Sequence, residues 1–159
     1  MRPATLAQTG GAVLATAVVG GLASRPAQSA WFAALRKPSF QPPRQAFPIV
    51  WPILYADIAV VSANAVDTLT EQGRRDEAKT FSILLALNLV LNASWSWLFF
   101  SRRKLGTSAI AAGVLAVSSA DLTRRAAKVN GAAAAPLGLY PLWCAFATAL
   151  STRIWMLNR

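Results

Sequence analysis

Five long stretches of this chain carry almost no charge, and that limits the folds open to it more than anything else. They are residues 5–23, 47–69, 80–100, 105–122 and 132–157. A bilayer core about 30 Å thick is crossed by about 20 helical residues rising 1.5 Å each. A water-exposed helix of that length needs a continuous polar face, and none of the five has one. Lipid offers the backbone no hydrogen bonds, so only helices and closed barrels cross it. No hairpin spacing is present. The expectation is an all-α integral membrane protein, a single domain built as a five-helix transmembrane bundle.

The charges fall between these stretches. Of 159 residues, 14% are charged and 55% hydrophobic, and the net charge is +10. The basic residues cluster at Arg36/Lys37/Arg44, Arg74–Lys79, Arg102–Lys104 and Arg124–Lys128. Basic residues that flank apolar spans meet lipid headgroups and set topology. Without a basic helix or interleaved aromatics, nucleic acid is not an expected partner. With five spans, the first loop, third loop and C-terminus share a side carrying nine Lys/Arg, against seven on the other. That weak asymmetry favours a cytosolic long loop. Residues 5–23 exceed the apolar core of about 7–15 residues found in a cleaved leader, so they are read as a retained span.

Composition also excludes chemistry. The chain has no histidine, one cysteine and six acidic residues. No protein-built metal site is expected, and no cofactor. General acid–base catalysis has no obvious residue set.

The connection over residues 24–46 holds Pro26, Pro38, Pro42 and Pro43 among Trp31, Phe32 and Phe40. Proline fixes φ and stops helices, so this segment has a shaped path. A long loop of this kind is read as a Pro/aromatic-rich lid over the bundle. Helices in lipid pack through small residues, and two segments offer them: Ala12, Thr16, Gly20 and Ala112, Ala116, Ala120. In the third span Asn88, Asn92, Trp95 and Phe99 share one helical face. Its amides need partners, so that face points inward. In the fifth span Tyr140, Trp143, Ala147 and Ser151 form a stripe, and in the second Phe47, Trp51 and Tyr55 repeat every four residues. Aromatic walls with a few polar groups describe either a ligand pocket or an aromatic-filled core, and the pattern alone favours neither. Asp57 is the carboxylate that stands out within a span, read as a structural hydrogen-bonding group.

The run Trp31-Phe32-x-x-Leu35-x-Lys37-Pro38-Ser39-Phe40-x-Pro42-Pro43, followed by Phe47-x-x-x-Trp51-x-x-Leu54-Tyr55, resembles the TspO/MBR family. These are the translocator proteins, also called tryptophan-rich sensory proteins or peripheral-type benzodiazepine receptors. Asn92, Trp95, Phe99 and Phe100 extend the likeness, as do Tyr140, Trp143, Phe146, Ala147 and Trp155. The resemblance implies a receptor or transporter-like bundle, commonly a homodimer, in a bacterial membrane or the mitochondrial outer membrane. It implies binding of porphyrins and related flat hydrophobic ligands, possible sterol binding in some members, and a role in tetrapyrrole handling or stress sensing. The implied wall is Trp51, Asn92, Trp95, Trp143, Phe146 and Ala147, with Trp31 and Pro42 or Pro43 from the lid. Phe47, Tyr55, Asn88 and Tyr140 join it from the inward faces. Arg36, Lys37 and Arg44 are placed to meet propionates at the mouth. Two other readings stay open: light-dependent porphyrin degradation through Trp51 and Trp143, and a membrane adaptor without a dedicated ligand. The sequence departs from the family at Ser151, where an Asn is usual, and at Thr152 and Met156, which break the fifth-helix sterol motif. Asn88 stands where the family has a longer amide.

Overall fold

The computed structural model describes residues 1–159, apart from the side chain of Gln28. Five helices are long and apolar enough to cross a membrane: Pro3–Ala23, Ala46–Glu71, Arg75–Ser101, Leu105–Val129 and Gly131–Leu157.

Helix α1 (Pro3–Ala23) starts on a proline, whose missing N–H costs nothing in the first turn. Thr5, Thr9, Val13, Thr16, Gly20 and Ala23 form its buried stripe, while Leu14, Val18 and Leu22 face outward. A 3₁₀ turn over Arg25–Gln28 leads into the short α2 (Ala30–Ala34). The Ser29 hydroxyl accepts from the Phe32 N–H at 3.3 Å and caps α2. At its other end the Lys37 ammonium donates to the carbonyls of Phe32 (2.6 Å) and Leu35 (3.2 Å).

Helix α3 (Ala46–Glu71) contains Pro52, and α4 (Arg75–Ser96) passes into a π-helical turn at Trp97–Ser101. Arg103 then turns the chain at φ 54°, a conformation unusual for a residue with a Cβ. Its guanidinium lies 4.9 Å over the Trp31 ring. Helix α5 (Leu105–Val129) continues seven residues past the uncharged stretch ending at 122. Asp121 makes this possible by pairing with Arg124 at 2.6 Å and Arg125 at 2.7 Å, one turn onward. The last span is interrupted. It opens with α6 (Gly131–Ala134), capped by the Asn130 side chain, passes through a 3₁₀ turn holding Pro136, and becomes α7 (Leu139–Leu157).

Around the bundle, α1 packs on α3 and α4, α4 on α5, and α5 along α7. Helices α3 and α7 approach mainly near the α6 end. Towards the long loop their gap is bridged by side chains, with Phe47 5.8 Å and Trp51 6.4 Å from Trp143 between ring centroids. The loop is pinned on both sides of this mouth. Trp31 and Phe32 pack against Phe99 and Phe100 on one side. On the other, the Asn158 amide brackets the Arg36 backbone, accepting its N–H at 2.9 Å and donating to its carbonyl at 2.8 Å. Phe40 lies edge-on to Phe146 there.

A candidate ligand cavity beneath the long loop

The aromatic residues of α3 and α4 do not fill the bundle. They wall a cavity of about 900 Å³. Phe47, Trp51 and Tyr55 line it from α3, Trp95 and Ser96 from α4, and Phe99 from the π-helical turn after it. Leu150, Ser151 and Ile154 close it from α7, Val13, Ala17 and Gly20 from α1. Phe32, Gln41 and Arg44 of the loop stand at its mouth. The Trp95 ring stacks on Phe99 at 5.5 Å, and Trp51 leans on Tyr55 at 5.4 Å. Offset aromatic pairs of this kind are each worth about 0.5–1.5 kcal/mol, which keeps the wall in place without a guest.

Of the residues singled out in the sequence, Phe47, Trp51, Tyr55, Trp95 and Arg44 therefore border the cavity. Trp143 and Phe146 stand behind them, with Trp143 edge-on to Trp51 and Phe146 touching the loop through Phe40. Ala147 is half-buried beside them. Trp31 sits outside, between Arg103 and Phe99. Pro42 and Pro43 shape the loop as it turns into α3, where the Pro43 carbonyl accepts from Ala46 N–H at 3.0 Å.

Asn88, Asn92 and Tyr140 are buried in a hydrogen-bond chain instead. The Tyr55 hydroxyl donates to Asn92 Oδ1 at 3.1 Å. Asn92 Nδ2 donates to the Tyr140 hydroxyl at 2.9 Å, which donates to Asn88 Oδ1 at 2.8 Å. Asn88 Nδ2 ends the chain on the hydroxyls of Ser118 and Ser119, at 3.0 and 3.1 Å. Four helices are tied together in a medium that offers no water, and Tyr55 is the one member that also faces the cavity.

The three cations expected at the mouth, Arg36, Lys37 and Arg44, have different fates. Arg36 is held through its backbone. Lys37 is occupied by carbonyls and lies 4.6 Å from the Phe32 ring. Burial first, and then the nearby charge of Arg44, holds its pKa below the ordinary lysine value. Arg44 is exposed at the mouth, and none of the ion pairs among the described residues uses it. The indole N–H of Trp95 and the Gln41 side-chain oxygen are buried without a partner among the described residues. Cys144 is buried against Ser119 and borders no part of the cavity.

Sequence reading missed two things. The α1 wall carries no aromatic or amide to announce it: Gly20, read as part of a packing ridge, stands there with Gly10, Val13, Leu14, Ala17 and Gly21. The deeply buried carboxylate is Asp67 rather than Asp57. Asp67 accepts from the Thr5 hydroxyl at 2.6 Å, from Arg2 Nε at 3.0 Å and from the Arg2 backbone N–H. Asp57 is half-buried and makes none of the ion pairs found among the described residues.

The TspO/MBR family profile matches residues 9–156. The chain is 33% identical over 133 residues to the uncharacterized membrane protein YtaB of Bacillus subtilis, covering 84% of this chain and 83% of that one. It is 30% identical to the tryptophan-rich protein TspO of Bacillus cereus, over 84% of each chain. It is 32% identical over 158 residues to the translocator protein of Ovis aries, covering 98% of this chain and 88% of the sheep protein. With five apolar spans and a family match along nearly its whole length, the chain belongs to the TspO/MBR family of multi-pass integral membrane proteins.

Proposed function

We propose that this protein is a receptor or transporter-like binder of flat hydrophobic ligands of the tetrapyrrole class. The observation that carries this reading is the cavity of about 900 Å³ walled by Trp51, Tyr55, Trp95 and Phe99 beneath a loop pinned on both sides. The ring lies against the indoles, and one propionate reaches Arg44.

Magnitudes rank the contributions. Burying apolar surface gives about 25 cal/mol per Å², several kcal/mol for a porphyrin-sized face. An exposed ion pair at Arg44 adds only about 0–1 kcal/mol. Affinity is therefore expected to change little with salt. The sole thiol is buried away from the cavity, neither methionine lines it and the chain has no histidine, so iron in it meets no soft or imidazole ligand. Metal-free protoporphyrin should quench tryptophan fluorescence at least as well as haem. Strong quenching by haem alone would overturn this reading.

A second reading rests on the edge-on contact of Trp51 with Trp143. An excited porphyrin with dioxygen as oxidant would be degraded beside this indole pair. Loss of the porphyrin Soret band under light in wild type, abolished in Trp51→Phe and Trp143→Phe, would separate degradation from plain binding, and loss that survives both substitutions would count against it. The family resemblance also supports a homodimer, and the exposed Ile83, Leu87 and Val90 of α4 offer it an apolar face. Cross-linking in membranes tests that assembly.

A further inference from the structure

The cavity is longer than a flat ring requires. Its lining follows α1 from Gly10 to Ser24, about 21 Å at 1.5 Å per residue. Its two ends differ. Arg44, Gln41 and Ser24 stand at the mouth, whereas Gly10, Val13 and Ala59 form an apolar foot.

It also breaks the surface along the seam between α1 and α3. Leu14, 65% exposed, belongs to its lining, as do the exposed Pro48, Pro52 and Ala56. A Cβ added at Gly10 or Gly21 would meet nothing within 4 Å. The sequence explains why the seam gapes here. The side-chain hydrogen bonds from α1 to α3 lie towards the far end, from Thr9 to the Ala59 carbonyl and from Thr5 and Arg2 to Asp67. At the near end Pro52 has no N–H, so the Pro48 carbonyl loses its helical partner.

We propose that this slot holds one acyl chain of an anionic bilayer phospholipid, which enters sideways between α1 and α3 and sets its phosphate against Arg44. A slot open on its flank at membrane depth faces hydrocarbon, so a chain enters it without crossing water. The open side leaves room for the lipid's second chain in the bilayer. From Arg44 the slot runs further than the about 15 Å of one leaflet's hydrocarbon, enough for a whole chain. Arg44 precedes α3, at the level where spans meet headgroups, and is free for a charge-assisted bond to phosphate. The proposal goes beyond tetrapyrrole binding and stands without it. Because the two guests share the mouth, they compete.

The test uses the full chain in phosphatidylcholine bilayers with trace phosphatidylglycerol or phosphatidylcholine, spin-labelled deep in the acyl chain. Wild type should show an immobilised component that saturates at about one lipid per chain, with phosphatidylglycerol preferred roughly fivefold. Gly10→Leu and Gly21→Leu place side chains in open space, so they fold and fill the slot, and the saturable component should disappear. Arg44→Gln should keep the component and bring the two headgroups near parity. The idea is overturned if wild type shows no saturable component, if both glycine variants retain it, or if the preference survives Arg44→Gln. Protoporphyrin quenching of the same variants in detergent, without phospholipid to compete, reports on the tetrapyrrole reading separately. Its absence would sink that reading and leave the lipid result standing.

Discussion

The Tyr140 hydroxyl donates to Asn88 Oδ1 at 2.8 Å, in the same chain that receives Asn92 and reaches the cavity at Tyr55. One phenol thus serves as both acceptor and donor between two amides of α4, and it reads the distance from α7 to α4. Tyr140→Phe leaves Asn92 Nδ2 and Asn88 Oδ1 each short of a partner. The expected loss is about 1–3 kcal/mol, towards the lower end because membrane hydrogen bonds average about 0.6 kcal/mol. Tyr55→Phe, at the open end of the chain, should cost less. Thermal unfolding in detergent compares the two, and an equal or larger loss for Tyr55→Phe would contradict this order.

Arg2 and Thr5 fasten the start of α1 to Asp67 near the end of α3. Asp67 is 2% exposed, so removing its partner leaves a buried carboxylate uncompensated. Arg2→Gln should therefore lower stability more than Asp67→Asn, which keeps a hydrogen-bonding oxygen without the charge. The double variant should cost less than the two single losses added together. Additive losses would show that the pair is not coupled.

Gly106 lies under Trp155. A Cβ there would stand 3.0 Å from the indole nitrogen and 3.2 Å from Cε2. Gly106→Ala should cost about 1–3 kcal/mol by overpacking, and Trp155→Ala should relieve it. At Gly113 the nearest atom is a Thr148 methyl at 3.7 Å. Gly113→Ala should be neutral or gain up to about 1 kcal/mol from helix propensity. Thermal shifts of the same sign for both glycine variants would contradict this packing.

The loop is held to α7 by the two hydrogen bonds between Asn158 and the Arg36 backbone. Asn158→Ala should loosen residues 36–45 and speed their amide exchange about tenfold, the equivalent of about 1.4 kcal/mol. It should also speed release of a bound ring. Unchanged exchange in that segment would show that Phe40 and the prolines hold the loop unaided.

Much of this was legible because lipid leaves so few choices. Uncharged length gave the spans, and the spacing of Asn88, Asn92, Trp95 and Phe99 gave an inward face. The same spacing does not say that the amides would turn to Tyr140 while Trp95 turned to the cavity, since neighbours on one stripe differ in depth by a turn. Trp143 shares its helix stripe with Ser151, yet Ser151 borders the cavity and Trp143 stands behind Trp51. The α1 wall was silent because glycine and alanine signal close packing and open space alike. Asp57 drew attention from its mid-span position, whereas Asp67 is answered by Arg2, 65 residues away, at the far end of a neighbouring helix.

The most direct test of the account is a protoporphyrin titration of wild type, Ser151→Phe and Trp97→Phe, read by tryptophan quenching. Ser151 is fully buried on the cavity wall, and Trp97 is exposed outside it. The account predicts saturation near one ring per chain, at least tenfold weaker binding in Ser151→Phe, and no change in Trp97→Phe. Binding by Ser151→Phe as tight as wild type would place the ligand somewhere other than this cavity.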